Sequence, residues 1–188
     1  KEIAEEWEKH IREEISVRTW NNYKPHVEQI VSIHGDKKIS QITSEDVFLD
    51  LEAAKAEGYS ATIVKTRKTI YNQILNYALI NDKSIHYNPA VGVKLPKNLP
   101  KGKRSAPDED AVSVILNSLD KPFGFFAYFL LCTGLRKAEA LALTKSDIDW
   151  KNNQISVTKA LEYSNKTDPK LKPPKTENGI RNVPILDI

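Results

Sequence analysis

From residue 1 to residue 92, apolar positions recur at intervals of three and four, the period of helices buried along one side. Ile3, Trp7 and Ile11 mark a first helix, from Glu2 to about Glu14. Trp20, Tyr23, Val27, Ile30 and Val31 mark a second, opening near Ser16 or Thr19 and running to about His34, with Gly35 as its stop. A third takes Thr43 or Ser44 as its N-cap, carries Glu45 and Asp46 in its first turn and ends near Gly58. A fourth runs from Ser60 to about Asn81, with Ile63, Ile70, Ile74, Tyr77 and Ala78 on one face, and Asn88-Pro89 marks a turn after it.

The pattern breaks at residues 94–106, where two prolines and the cations Lys94, Lys97, Lys101, Lys103 and Arg104 read as an extended basic linker. This places one domain at 1–93 and a second at 107–188. In the second, Asp108 to Leu119 reads as a helix with an acidic first turn. Phe123 to Cys132 reads as a core helix, with Cys132 a buried structural thiol, and Gly134 to Leu143 as a third helix. From Asp147 the period shortens to two. Ile148-Asp149-Trp150 turns at Asn152-Asn153 into a strand with Ile155 and Val157 inward, and a last strand holds Ile180 and Val183. Between them, a polar loop with Asp168-Pro169 and Pro173-Pro174 leads to Lys175 at a hairpin turn. The fold class is mainly α with a small β-sheet (α+β): a four-helix domain, then part of a mixed α/β domain with a β-hairpin or three-stranded antiparallel sheet.

Composition narrows the class. Forty per cent apolar and 28% charged residues suit a globular chain, and no apolar run is long enough to span a bilayer. The lone Cys132 excludes an internal disulfide and, with no signal peptide, points to the cytoplasm. The four histidines and one cysteine lack metal-ligand spacing, so no metal site is expected. The chain starts at Lys1, contains no methionine and stops just after a predicted strand, so a longer parent protein is expected. The net charge of +3 conceals a division: residues 1–60 carry net −5, residues 61–106 net +8, residues 107–150 net −3 and residues 151–188 net +3. The central block reads as a polyanion-binding surface or, alternatively, as a solubilising face with a charged linker.

Within that frame, Thr133-Gly134-Leu135-Arg136-Lys137-Ala138-Glu139-Ala140-Leu141-Ala142-Leu143 is the most chemically informative stretch. Arg136 and Glu139 are three residues apart and so share a helical face. The pair reads either as a surface ion pair or as a guanidinium held ready for a phosphate by an orienting carboxylate.

This stretch, followed by Asp147-Ile148-Asp149, resembles the first catalytic arginine box of the tyrosine recombinases of the phage-integrase family. Pro174-Lys175-Thr176 with Ile180-Arg181 and Val183-Pro184 is similar to that family's catalytic-lysine hairpin. Thr19, Tyr23, Gly35, Ile39 to Ile42, Ala78 and Asn88-Pro89 resemble its helical, SAM-like core-binding domain. The resemblance implies a site-specific recombinase or integrase that cuts and rejoins DNA through a 3′-phosphotyrosyl intermediate. Its partners would be a double-stranded attachment site and other recombinase protomers, with no membrane and no small-molecule cofactor. Arg136 would clamp the phosphate, Glu139 would buttress Arg136, and Lys175 would protonate the leaving 5′-oxygen. The DNA-facing candidates are Thr19, Asn22 and Lys24 on the second helix, Thr62, Lys65, Thr66, Lys68, Thr69 and Asn72 on the fourth, and Lys101, Lys103 and Arg104 in the linker.

The chain departs from the family in three ways. None of His10, His26, His34 and His86 begins a His-x-x-Arg motif, no tyrosine (Tyr163 included) matches the nucleophile, and Gly179 stands where serine is common, loosening the turn. The expectation is a chain that binds DNA without cleaving it. The alternatives are a non-catalytic DNA-binding remnant or regulator and, from another class, a helical module that binds an acidic protein.

Overall fold

The computed structural model of the chain describes residues 1–102, 105–163, 169–174 and 176–185. Lys103, Arg104 and Lys175 therefore lie outside the described residues. The chain divides into two compact units, Lys1–Arg104 and Ser105–Ile188. No helix among the described residues is long and apolar enough to cross a membrane.

The first unit holds α1 (Glu2–Glu14), α2 (Val17–His34), α3 (Ser44–Ala56) and α4 (Ala61–Tyr77), the last extended by a π-turn over Ala78–Asp82. Side-chain oxygens start three of the helices by taking up orphan backbone N–H groups. Ser16 accepts from the Thr19 N–H at 3.2 Å and Ser60 from the Ile63 N–H at 3.5 Å. Thr43 accepts from the Asp46 N–H at 3.1 Å while the Asp46 carboxylate returns to the Thr43 N–H at 3.0 Å, closing a reciprocal box. The four apolar stripes meet in one core around Trp7, Trp20, Val27, Leu51, Val64, Ile70, Tyr71 and Leu75. Trp7 and Trp20, with ring centroids 6.4 Å apart, join α1 to α2. Leu95 and Leu99, within the stretch read as linker, pack against this core, and the Pro100 carbonyl accepts from the Ala61 N–H at 2.8 Å.

One buried polar network crosses the unit. Asp50 of α3 accepts from Arg67 Nη1 at 3.1 Å and from the Tyr71 hydroxyl at 2.8 Å, both on α4. The Asp50 and Arg67 side chains are only 1% and 4% exposed. The Arg67 guanidinium also lies 5.4 Å from the Tyr59 ring centroid. Helical period alone gives no sign of this, because Arg67 interrupts the apolar stripe of α4 and takes a core position. His34 packs edge-on to Tyr71, and among the described residues neither of its ring nitrogens has a hydrogen-bond partner.

The second unit holds α5 (Glu109–Leu116), α6 (Gly124–Thr133), the short α7 (Lys137–Ala140) and five strands. β1 (Ile148–Asp149), β2 (Gln154–Val157) and β5 (Arg181–Pro184) form a three-stranded antiparallel sheet in the order β1-β2-β5. β3 (Ala160–Tyr163) and β4 (Pro169–Lys172) form a separate antiparallel ribbon. The helical domain followed by small antiparallel sheets is the α+β class expected from sequence.

Several local expectations are corrected here. The stretch expected to be a polar loop before Lys175 contains β3 and β4, whose register pairs Leu161 with Leu171 and Glu162 with Lys170. The two strands flanking Lys175, β4 and β5, belong to different sheets, so the segment between them is a crossover and not the turn of a hairpin. The helix expected over Gly134–Leu143 shrinks to four residues. Gly134, at φ +63°, closes α6, and Arg136 is extended at φ −68°, ψ 145°. These two breaks delay its start to Lys137, and the chain passes into a turn directly after Ala140. α6 is also not a core helix: apart from Gly124 none of its residues is buried, and Cys132 is only half-buried. Its Phe125, Phe129 and Cys132 border an open apolar groove of about 640 Å³ that is lined on its other side by Ile148, Trp150 and Ile155.

Candidate phosphate clamp and nucleic-acid interface

α7 is short, but its start is tightly built. Arg136 is its N-cap and Glu139 sits three residues on, turned back toward the cap. Glu139 Oε2 accepts from the Arg136 backbone N–H at 2.9 Å, and Oε1 accepts from Arg136 Nη1 at 2.8 Å. The two residues thus meet through cap geometry, and the shared helical face expected from their spacing is not what joins them. Leu135 and Ala142 are buried on either side, which seals the carboxylate in: its side chain is 3% exposed, that of Arg136 73%. The arrangement is a buried anion with an outward-facing cation.

A third residue completes it. Arg181, on β5, donates from Nη1 to Glu139 Oε1 at 3.1 Å and from Nη2 to Oε2 at 2.8 Å. Its Nη1 also donates to the Gly179 carbonyl at 3.2 Å. The sheet register brings this about: β5 pairs antiparallel with β2, Val157 opposite Arg181, and Arg181 and Val183 take the more buried alternate positions. With four donors on two oxygens, hydrogen bonding from Arg181 first, and then from the Arg136 backbone and side chain, holds the Glu139 pKa down to about 2. The same contact raises the Arg181 pKa. Arg181 was not among the candidate site residues. Its signal was present in the strand alternation: an arginine on the inner face of a half-buried strand needs a carboxylate opposite.

Gly179 is also reinterpreted. It is buried, and a Cβ there would lie 2.4 Å from the Pro174 Cβ, so glycine permits close packing at this turn where looseness was expected. Beside the clamp, Asp147 accepts from Lys159 Nζ at 2.8 Å and from the Thr144 hydroxyl and N–H, both at 2.7 Å, which fixes the turn leading into β1.

In the first unit, the expected DNA-facing residues of α4 lie along one accessible side. Thr62, Lys65 and Thr69 are exposed, and Thr66, Lys68 and Asn72 are half-buried. Thr62, Lys65, Thr66 and Thr69 line a shallow depression with Ala61. The Thr66 and Thr69 hydroxyls donate to the carbonyls of Thr62 and Lys65, both at 3.0 Å, leaving their lone pairs outward. Among the described residues, neither Lys65 nor Lys68 has an ion-pair partner. The α2 candidates differ. Lys24 pairs with Glu28 at 3.7 Å, and the Thr19 hydroxyl is engaged with Ser16 at 3.0 Å, so of the three only Asn22 stands exposed without such a partner among the described residues. Asn88, in the turn after α4, donates to the Asn72 carbonyl at 3.1 Å and to Asn76 Oδ1 at 2.7 Å, strapping that turn to the end of the face. Lys101 is exposed.

No family model matches the chain. It is similar to a tyrosine recombinase XerC-like protein of Caldanaerobacter subterraneus subsp. tengcongensis, 28% identical over 163 residues, covering 79% of this chain and 41% of that protein. It is also similar to the putative defective protein IntQ of Escherichia coli K12, 25% identical over 188 residues, covering 90% of this chain and 46% of that protein. The chain thus spans less than half the length of these curated relatives. Its fold matches a solved structure of the Tn1549 transposon integrase in complex with transposon right end DNA, with a TM-score of 0.77 at 21% identity, covering 98% of this chain and 61% of that one. These findings agree with the resemblance drawn from the arginine box: the chain is related to tyrosine recombinases and has an integrase-like fold.

Proposed function

We propose that this chain, a relative of the tyrosine recombinases, carries the DNA-binding domain and the first catalytic segment of a site-specific DNA recombinase or integrase. The observation that carries the reading is the buried Glu139 holding an exposed Arg136 guanidinium at the start of α7. A phosphodiester under attack gains negative charge, and a cation fixed in advance at those oxygens stabilises it without reorganising. Arg136 is the clamp and Glu139 its buttress. Lys175 is the proton donor to the leaving 5′-oxygen, a role that rests on its place in the sequence motif. The basic side of α4, from Thr62 to Asn72, holds the duplex. Its lysines set register on phosphates, and its Thr and Asn side chains reach toward base edges. Lys101, Lys103 and Arg104 add charge along the strand. The partners are an attachment-site duplex and further recombinase protomers, and the setting is the cytoplasm.

The reaction passes through a 3′-phosphotyrosyl intermediate and needs no cofactor. With no His-x-x-Arg motif and no matching tyrosine in its sequence, this chain binds DNA and leaves it uncut. A second reading, a recombinase remnant acting only as a DNA-binding protein, is favoured by the similarity to a relative described as defective.

Two measurements test the proposal. Incubation with nicked duplexes from the ends of the encoding element should yield no covalent protein–DNA adduct, and any adduct refutes the claim that the chain leaves DNA uncut. In titrations over a range of salt, Lys65→Ala or Lys68→Ala should weaken duplex binding alike for all sequences and lower the salt slope by about one. An unchanged slope removes α4 from the interface.

A further inference from the structure

The Arg136–Glu139 pair alone is electrically neutral. A phosphate approaching it would compete with a buried carboxylate for the same guanidinium, and the carboxylate is already in place. Arg181 changes that balance. Its two donors fill the remaining acceptor positions of Glu139, at 3.1 Å and 2.8 Å, and bring a second positive charge to the cluster. Two guanidiniums on one carboxylate leave a net charge of one, and exposure decides where it is felt: the Arg136 side chain is 73% exposed, that of Arg181 31%. Among the described residues, Nη1 alone of Arg136's side-chain donors has a partner, and the side chain stands largely in solvent. Arg181 spends its Nη donors inward, on Glu139 and on the Gly179 carbonyl.

We infer that Arg181 is a positioning residue for the phosphate clamp: it satisfies and neutralises Glu139 from the β5 side, so that Arg136 presents its charge and its free donors to a DNA phosphate. This rests on the clamp role proposed above for Arg136. Arg181 does not touch the phosphate. It also ties the turn at residues 177–179 to the clamp through the Gly179 carbonyl.

The test uses the full chain and a short fluorescein-labelled duplex, with affinity measured over a range of salt. Arg136→Ala should lower the salt slope by about one and weaken binding about tenfold. Arg181→Gln should do the same, because the pair that remains is neutral and its uncompensated carboxylate competes with the phosphate for Arg136. Adding Glu139→Gln to Arg181→Gln removes the competing charge and should restore the slope, which a purely structural lesion would not allow. If Arg181→Gln costs the second unit its near-ultraviolet dichroism, Arg181→Lys carries the test: it should keep the wild-type slope while losing a few-fold in affinity for want of the two-pronged contact. The inference is overturned if Arg181→Gln binds like wild type, if the double variant stays as weak as the single, or if Arg181→Lys loses the slope. If Arg136→Ala itself is silent, the clamp reading fails first, and the two failures are distinguishable.

Discussion

Asp50→Ala should be among the most damaging single changes in the helical unit. The substitution removes a carboxylate that is 1% exposed and leaves the Arg67 guanidinium, 4% exposed, without its counter-charge. Among the described residues, Arg67 Nε already has no hydrogen-bond partner. Tyr71 loses its 2.8 Å acceptor at the same time. Breaking a buried pair from one side costs about 3–5 kcal/mol, against a typical domain stability of roughly 5–15 kcal/mol. For a unit of this size the midpoint of thermal unfolding should fall by at least ~12 °C. Trp7 and Trp20 lie in this unit and Trp150 in the other, so urea unfolding followed by tryptophan fluorescence in a Trp150→Phe background reads the first unit alone. The double variant Asp50→Ala/Arg67→Met removes both charges and should regain most of the loss, since an apolar side chain of similar length suits the site. A cost for Asp50→Ala below about 1 kcal/mol, or a double variant no more stable than the single, would refute the view that this pair is fully desolvated. The network also bears on the proposed DNA-binding face: Arg67 and Tyr71 tie α4 to α3, and α4 carries Lys65, Lys68 and Thr69.

Two pH effects follow from other groups. His34 is buried, with both ring nitrogens unpartnered among the described residues, and desolvation lowers its pKa below the ordinary value of 6.5. The unfolded chain therefore binds the proton more readily, and the helical unit should lose stability as pH falls below about 6.5. His34→Leu should flatten that dependence and raise stability at neutral pH by about 1 kcal/mol in urea titrations. In the second unit, Glu139 and Asp147 are both depressed to about 2, by Arg181 and Lys159 respectively before their other partners. Their contribution is complete above the unfolded carboxylate range near 4 and is lost as pH falls toward 2, so acid unfolding of this unit should be steep there. Glu139→Gln should make it shallower, and an identical acid titration would contradict the ionised clamp.

The legibility of the sequence varied with how far an element depends on distant partners. The first unit's helices are self-announcing: Ser16, Thr43 and Ser60 cap where expected, and Trp7, Trp20, Val27 and Ile30 keep a strict helical period. Arg67 defeated that reading because a charged residue at a core position is recognisable only once Asp50, on another helix, is seen opposite. The Arg136–Glu139 pair was visible from spacing, yet its geometry was not: Gly134 and the extended Arg136 replace the first turn of the expected helix, and a turn after Ala140 ends it. Arg181 was missed as a member of the site for the same reason as Arg67, since its partner lies 42 residues away. β3 and β4 were missed because Pro169-Lys170-Leu171-Lys172 is exposed throughout and carries almost no apolar alternation.

The pairing of Val157 with Arg181 has a consequence for how this protein can diverge. Backbone partners in such a ladder lie only about 5 Å apart, so the chain leaves the main sheet after Val157 and re-enters at Arg181 through nearly the same point. The β3–β4 ribbon is thus an excursion with a closed mouth. Lengthening the connection between β3 and β4 costs little, because loop entropy grows only slowly with length, while the base of the ribbon is held where β3 packs against α7 and Lys159 pairs with Asp147. Arg136, Glu139 and Arg181 are anchored outside the ribbon or at its rim. Insertions and deletions can therefore accumulate between β3 and β4 without disturbing the Arg136–Glu139–Arg181 cluster, and lineages should differ most in length between residues 163 and 169.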